Sequence, residues 1–503
     1  MDNDGKTRKG TYFISSLSAV TANTEFGVGL IFILFLMNAL HFTDDLTSIT
    51  YAYVFLFVYL LPIPLGFIKD KYLNNNIILN IGFVAAIISQ FFLFFSASMY
   101  VPTTYQYDTI IFNSQNLLFF IGIIFFAFGI SFVNLGFSHL INMVNTDKNE
   151  RLNAFSVLYA MINFGSIIGI IIMTIFVGDT RYESFKWGFL AFGILLILSL
   201  ILYHALKSRF LIDCDGNPVK EESALNFNDI KNEINQNIFN KIISKTKMSQ
   251  EKFLNMSSWM KLKTLSTSLS KNEKDRVEIF FLFILIIIIY RIAFYQSQVS
   301  MIFFIKYYVI RDLGFYTIPI EVFSILNPLL VLLLGPALIK FNNALEKRNI
   351  KLGLTKRFVI GLLMITLAFV FLSVPGYLID LHYTSQVNSI WIVMYMLFLS
   401  LSEMFISVTG YAVVTELAPV KYLSVFFGIF LSVRAFAMFF SGIISQFFPD
   451  DLSSVINIGF IPFNGLLQFF SIFVMISLIS AILLFIFRNR INKKMHQEDM
   501  GDE

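Results

Sequence analysis

Twelve long apolar stretches alternate with polar links along the 503-residue chain. A run of about 20 apolar residues spans the ~30 Å hydrocarbon layer as a helix, and only helices or closed barrels cross it with every backbone group paired. The pattern predicts spans near 17–41, 49–68, 77–98, 117–144, 154–178, 185–206, 279–309, 318–339, 358–380, 388–416, 422–447 and 463–487. Leu117 to Val144 and Ile279 to Val309 are too long and apolar to be surface helices of a soluble protein. The expected fold class is an all-α membrane protein of twelve transmembrane helices.

The polar interval Lys207 to Val277 divides six spans from six. Residues 1–206 therefore form one six-helix bundle, 207–277 a linker, and 278–503 a second bundle with a short polar tail. The linker reads as a solvated tether; Phe227 to Ile243 has some helical periodicity, but nothing in it could span a bilayer. Two six-helix halves joined in this way are the layout of major facilitator transporters.

Charge sorts by side. Lys6, Arg8, Lys9, Lys69, Lys71, Lys148, Arg151, the linker, Lys340 to Arg357, Lys421 and Arg488 to Lys494 share one face. Asp44, Asp45, Asp108, Asp179, Glu183, Asp380, Asp450 and Asp451 share the other. The positive-inside rule then places both termini in the cytoplasm.

Composition agrees and excludes other classes. Apolar residues are 56% and charged residues 14%, against about 25% charged in a soluble protein. The 60 Phe face lipid or fill helix seams, and the single Cys214 cannot make an internal disulfide. The net charge of +4 is no nucleic-acid signal, because the basic residues lie on one side. The N-terminus lacks a signal-peptide arrangement. There is no Gly-rich phosphate loop, metal-ligand spacing or nucleophile arrangement, so no cofactor and no enzymatic activity are expected. A monomer is expected, and enrichment in Ile, Asn, Lys and Phe points to an AT-rich genome and a bacterial inner membrane.

Four charges inside the spans stand out: Glu25, Arg291, Glu403 and Arg434. Each costs roughly 2.5–3.5 kcal/mol at the bilayer centre on insertion scales, which makes it a candidate for function. A carboxylate can hold an ammonium, and a guanidinium fork can hold a carboxylate bidentately. The alternative is that an Arg pairs with a Glu as a lock between helices.

Four stretches carry a family resemblance. Tyr59-Leu60-Leu61-Pro62 with Gly66-Phe67-Ile68-Lys69-Asp70-Lys71-Tyr72-Leu73 is the first, and Phe155-Ser156-Val157-Leu158-Tyr159 with Ile162-Asn163-Phe164-Gly165-Ser166 the second. Phe323-Ser324-Ile325-Leu326-Asn327-Pro328-Leu329 with Gly335-Pro336, and Ser402-Glu403-Met404-Phe405-Ile406-Ser407 with Gly410 and Ala418-Pro419, complete the set. In this order and spacing they resemble the signatures of the proton-dependent oligopeptide transporter family. The resemblance implies alternating access, a central cavity for short peptides, and Glu403 as receptor of the peptide's amino terminus. It also places Tyr59, Asn134, Asn163, Gln296, Gln298, Asn327 and Ser407 around the cavity. Asn163 and Asn327 could instead bond neighbouring helices, and His139 reads either as a titrating group or as a structural one.

The chain departs from the family at its charges. The span-1 ExxER element is replaced by Thr21, Thr24 and Glu25, the span-4 Lys aligns with Asn134, and the span-7 Glu gives way to Tyr295-Gln296-Ser297-Gln298. Amides and hydroxyls do not change charge near neutral pH. Arg291 or Arg434 is then expected to take a cargo carboxylate, and Glu25 to be the remaining proton carrier. The resulting expectation is a transporter of di- and tripeptides with altered or absent proton coupling. The alternatives are a facilitator or exporter of another small zwitterion or organic anion, such as a metabolite or siderophore, and a non-transporting sensor or scaffold.

Overall fold

The polar links end the helices. The computed structural model describes residues 3–66, 74–144, 148–176, 184–211, 270–348, 352–419, 423–449, 456–458, 461–463 and 465–495. The first bundle contains α1 (Asn3–Asn38), α2 (Asp44–Leu60), α3 (Asn75–Ser98), α4 (Ser114–Val144), α5 (Lys148–Phe176) and α6 (Phe185–Phe210). The second contains α7 (Lys271–Tyr295), α8 (Ser300–Tyr308), α9 (Ile320–Lys347), α10 (Leu354–Asp380), α11 (Ile390–Leu417), α12 (Leu423–Ser445) and α13 (Leu466–Lys494). Twelve helical stretches among the described residues are long and apolar enough to cross a membrane, with α7 and α8 forming one of them. The protein is a multi-pass membrane protein with the expected all-α fold class.

The starts of α1 and α7 and the ends of α6 and α13 lie at one face, where Gly10 packs on the Phe210 carbonyl and Lys494 pairs with Glu278, and the loops after α1, α3, α8 and α10 lie at the other. Two short pairings sit on this loop face. Val309–Ile310 (β1) runs parallel to Val387–Asn388 (β2), and Ile456–Ile458 (β3) pairs with Ile461–Phe463 (β4) as a hairpin. Most of the 207–277 interval lies outside the described residues, as do 67–73 of the first signature. At the edges of that interval α6 continues to Phe210 and α7 begins at Lys271. Ser270 and Glu273 form a reciprocal capping box there, satisfying amides that the helix cannot pair itself.

Small residues let the helices close. A Cβ at Gly165 or Gly169 on α5 would run into the backbone carbonyls of Ala19 or Asn23 on α1. This small-xxx-small contact replaces the hydrophobic driving force that lipid cannot supply. At the loop face the Asp380 carboxylate accepts from the amides of Leu466 at 2.9 Å and Leu467 at 2.8 Å, fixing the start of α13.

Span seven is not the single helix that the hydropathy pattern predicts. It breaks at the 3₁₀ turn Gln296–Gln298, and Val299 has φ −125° and ψ −80°. Polar side chains stabilise the break: the Ser297 hydroxyl donates to the Phe294 carbonyl at 2.8 Å, and Gln296 bonds across to α12. Hydropathy averages over such a turn because four residues hardly change a window of about 19.

The two halves meet on the loop side. The Tyr307 hydroxyl on α8 donates to Asp44 on α2 at 2.8 Å, and Tyr51 donates to the Gln298 carbonyl oxygen at 3.0 Å. Gly442 on α12 packs on the Ser48 carbonyl, where a Cβ would sit 2.8 Å away. Further contact between halves runs along α5 and α9.

Candidate substrate cavity

Beneath that seal lies a cavity of about 420 Å³ between the halves. Its described lining comes from α1, α2, α4 and α5 on one side and from α7, the 3₁₀ turn, α9, α11 and α12 on the other. Glu25, Arg291, Glu403 and Arg434 are the charged residues of that lining, so it is formally neutral. Tyr59, Asn134, Asn163, Gln298, Asn327 and Ser407 also line it.

The first polar cluster joins the halves. Arg434 on α12 donates to the Tyr59 hydroxyl at 2.6 Å, and Tyr59 donates to Glu25 at 3.1 Å. The same guanidinium lies 4.0 Å from the Glu25 carboxylate and stacks on the Tyr59 ring, 3.9 Å from its centroid. Asn134 donates to the other Glu25 oxygen at 3.2 Å. The lock between Glu25 and Arg434 is thus present, and it sits inside the cavity.

The second cluster surrounds Glu403. Tyr159 on α5 donates to one oxygen and Asn327 on α9 to the other, each at 3.2 Å. Asn327 also donates to Ser400 at 3.2 Å, so it does both jobs open to it: it bonds a neighbouring helix and faces the cavity. Asn163 donates to the Tyr159 carbonyl one turn back at 2.9 Å.

Arg291 is held differently. Its guanidinium donates to Ser407 at 3.3 Å and lies 5.8–5.9 Å from the rings of Tyr290, Phe294 and Tyr295. Among the described residues no opposite charge lies within 4.0 Å of Arg291 or of Glu403. Ser407 follows Glu403 by one helical turn on α11, so the Arg291 hydroxyl partner and the Glu403 carboxylate share one helix face.

Gln296 is the exception among the residues expected around the cavity. It is 1% exposed and does not appear in the described lining. Its amide donates to the Ser441 carbonyl at 3.2 Å, and its oxygen accepts from Ser300 at 2.5 Å and Ser445 at 2.9 Å. The helix break turns this side chain toward α12 and leaves the neighbouring Ser297 and Gln298 facing the cavity. Thr21 and Thr24, at the aligned positions of the missing span-1 acids, are buried and donate to the carbonyls of Ser18 and Val20. His139 lies outside the described lining and has interactions of its own. Tyr295, Phe55 and Phe430 were not singled out in the sequence, yet all three line the cavity. Tyr295 lies on α7 with Arg291 and Phe430 on α12 with Arg434, and both reach the cavity because α7 and α12 pack together.

Residues 75–458 match the family model described as the POT family. This chain belongs to the POT family. Across most of its length the POT-family chain aligns with a dipeptide and tripeptide permease B of Yersinia enterocolitica. The two are 24% identical over 434 residues, covering 84% of this chain and 83% of that protein. A peptide transporter of Yersinia enterocolitica subsp. palearctica is 23% identical over 390 residues, covering 72% of this chain and 71% of that one. Among solved structures, a peptide transporter POT in complex with sulfate gives a TM-score of 0.75 at 16% identity over 98% of this chain and 99% of that one. A POT family transporter in complex with 5-aminolevulinic acid gives 0.72 at 18% identity, covering 96% of each. These likenesses agree with the two-bundle architecture.

Proposed function

We propose that this POT-family chain carries di- and tripeptides, or closely related peptide-like zwitterions, across a bacterial inner membrane by alternating access. Glu403, with Tyr159, Asn163 and Asn327 around it, receives the cargo's ammonium. Arg291, steadied by Ser407, and Arg434 receive its carboxylate. Tyr59, Asn134 and Gln298 shape the wall between them. The observation that carries this reading is the pairing state of the charges: Glu403 and Arg291 face a neutral cavity with no opposite charge at ion-pair distance among the described residues. A buried charge left without a counter-ion is costly, and a dipolar cargo supplies both counter-ions at once. The relatives named as peptide permeases fit this cargo class.

Glu25 sets the coupling. Glu25 and a cargo carboxylate compete for Arg434, so a proton on Glu25 releases the guanidinium for cargo. Coupling has then moved from the family's usual positions to a carboxylate on α1 and a cation on α12. With basic residues concentrated on the terminus-bearing face, both termini are cytoplasmic. Uptake of a small peptide panel into proteoliposomes, with and without a pH gradient, tests the reading. Uptake of free dipeptides but not of peptides blocked at both ends is expected. Equal handling of both sets overturns it. Uptake of single amino acids such as 5-aminolevulinic acid in preference to dipeptides would favour the small-zwitterion alternative.

A further inference from the structure

Glu321 lies outside the cavity and has no part in the cargo reading. It is the second residue of α9, at the loop-face end, and is 1% exposed beside the buried Ile320 and Phe323. Neither of its carboxylate oxygens accepts a hydrogen bond from another described residue; its own backbone N–H is the one donor that acts on them. Arg311, in the loop after β1, is the charged group that acts on it. That guanidinium is itself partly desolvated, with its affinity for the proton lowered by burial, and donates to the Ile318 carbonyl at 3.2 Å. The packed elements bring little other charge. From Phe26 to Asn38 α1 has no titratable residue, while α5 offers only Tyr159 from Val157 to Phe176, and α11 only Tyr395 from Ile390 to Ser402. On α8, Lys306 donates to Tyr307, which donates to Asp44, and Tyr308 donates to the Pro449 carbonyl.

We propose that Glu321 is a proton-binding site of the loop-side gate, occupied when the halves are joined there. An isolated carboxylate ion buried without donors is far costlier than the neutral acid. Its own first-turn N–H and Arg311 both favour the ion, but no other described residue donates to it, and burial outweighs both. Because α9 packs against α5 of the other half, parting the halves at the loop face would admit water to the first turn of α9 and make the ion cheap. The joined conformer therefore holds the proton more tightly than the parted one. By linkage, acid at the loop face favours joining, and loss of the proton favours parting. This site depends on alternating access but not on the identity of the cargo.

Ser48 supplies a reporter, since it is fully buried in the α2–α12 seal. In the full-length protein, with Cys214→Ser as background, Ser48→Cys is labelled by a membrane-impermeant maleimide without cargo. Rates are normalised to denatured protein at each pH, which removes the reactivity of the thiol itself. The proposal expects labelling to rise several-fold from acid to alkaline pH. Adding Glu321→Gln, which mimics the protonated acid, makes labelling low and flat. Adding Glu321→Asp retains a pH-dependent rise. A Glu321→Gln profile that tracks the parent overturns the proposal, as does a flat Glu321→Asp profile if Glu321→Gln fails to fold. Since no cargo is present, either result leaves the peptide reading to its own uptake test.

Discussion

Arg434 and Tyr59 meet from opposite halves of the molecule, with a guanidinium nitrogen 2.6 Å from the phenol oxygen and the guanidinium stacked 3.9 Å from the ring centroid. A planar guanidinium can stack, donate to the hydroxyl and still point free N–H groups into the cavity. An ammonium is a compact point charge and cannot do these together. Stacking of this kind is worth about 0.5–2 kcal/mol, the upper end applying when the cation is desolvated. Arg434→Lys is therefore expected to weaken peptide binding tenfold or more while the melting temperature moves by only a few degrees. Binding titration and thermal unfolding of the same preparation check this. Loss of folded protein instead would identify Arg434 as a lock between helices.

Glu25 shares that hydroxyl and lies 4.0 Å from the guanidinium. In the proposed coupling, neutralising this carboxylate dissolves its hold on Arg434 and raises uptake. Glu25→Gln fixes the uncharged condition at every pH. Its uptake should resemble the parent's acid limb and vary far less with pH, as a proteoliposome pH series would show. A profile parallel to the parent's assigns coupling elsewhere.

Glu403 is engaged by two donors, Tyr159 and Asn327, each at 3.2 Å. Replacing the carboxylate with an amide leaves one acceptor oxygen for the two donors and takes away the counter-ion for an ammonium. Glu403→Gln should lower affinity for dipeptides with a free amino group by tenfold or more, and leave N-acetylated peptides at the parent's weak level. A competition assay with matched free and acetylated peptides reads the difference directly.

Arg291 rests on Ser407 at 3.3 Å and within a ring of three aromatic side chains. Ser407→Ala removes one of its anchors without touching its charge. Affinity for peptides with a free carboxylate is expected to fall severalfold, and affinity for their C-terminal amides to stay unchanged. Arg291→Gln should erase the preference between the two. Equal losses for acid and amide would show that Ser407 acts on packing alone.

The sequence carries much of this arrangement. Hydropathy located the twelve crossings because the bilayer imposes a length on each. The intramembrane charges were conspicuous for the same reason: Glu25, Arg291, Glu403 and Arg434 stand in apolar runs, and all four line one cavity. The pairing among them was not legible. Whether Arg434 meets Glu25 or Glu403 depends on how α12 crosses the other half, a long-range relation that no local pattern encodes. Gln296 failed for a local reason. A break in span seven rotates the side chains around it by an amount that a continuous-helix register cannot supply. Its neighbours Ser297 and Gln298 have equally polar sequences and the opposite orientation.

Gln296 therefore makes a stability prediction where the family's acid would suggest a coupling role. Its amide nitrogen donates to the Ser441 carbonyl, and its oxygen accepts hydrogen bonds from Ser300 and Ser445, so each polar atom of the side chain is satisfied. Gln296→Glu keeps the shape and both serine bonds but removes the donor, leaving the introduced carboxylate against a buried carbonyl. An unsatisfied buried group costs about 1–3 kcal/mol, more when charged, so the melting temperature should fall. The loss should shrink on acidification. The introduced carboxyl would be harder to ionise in the folded protein than in the unfolded chain, so the folded state binds the extra proton and regains a donor for Ser441. Melting curves of parent and variant across pH test this: their separation should be widest at alkaline pH and narrow as the pH falls. A variant as stable as the parent at alkaline pH would mean that the clasp between the span-seven break and α12 does not hold the break together.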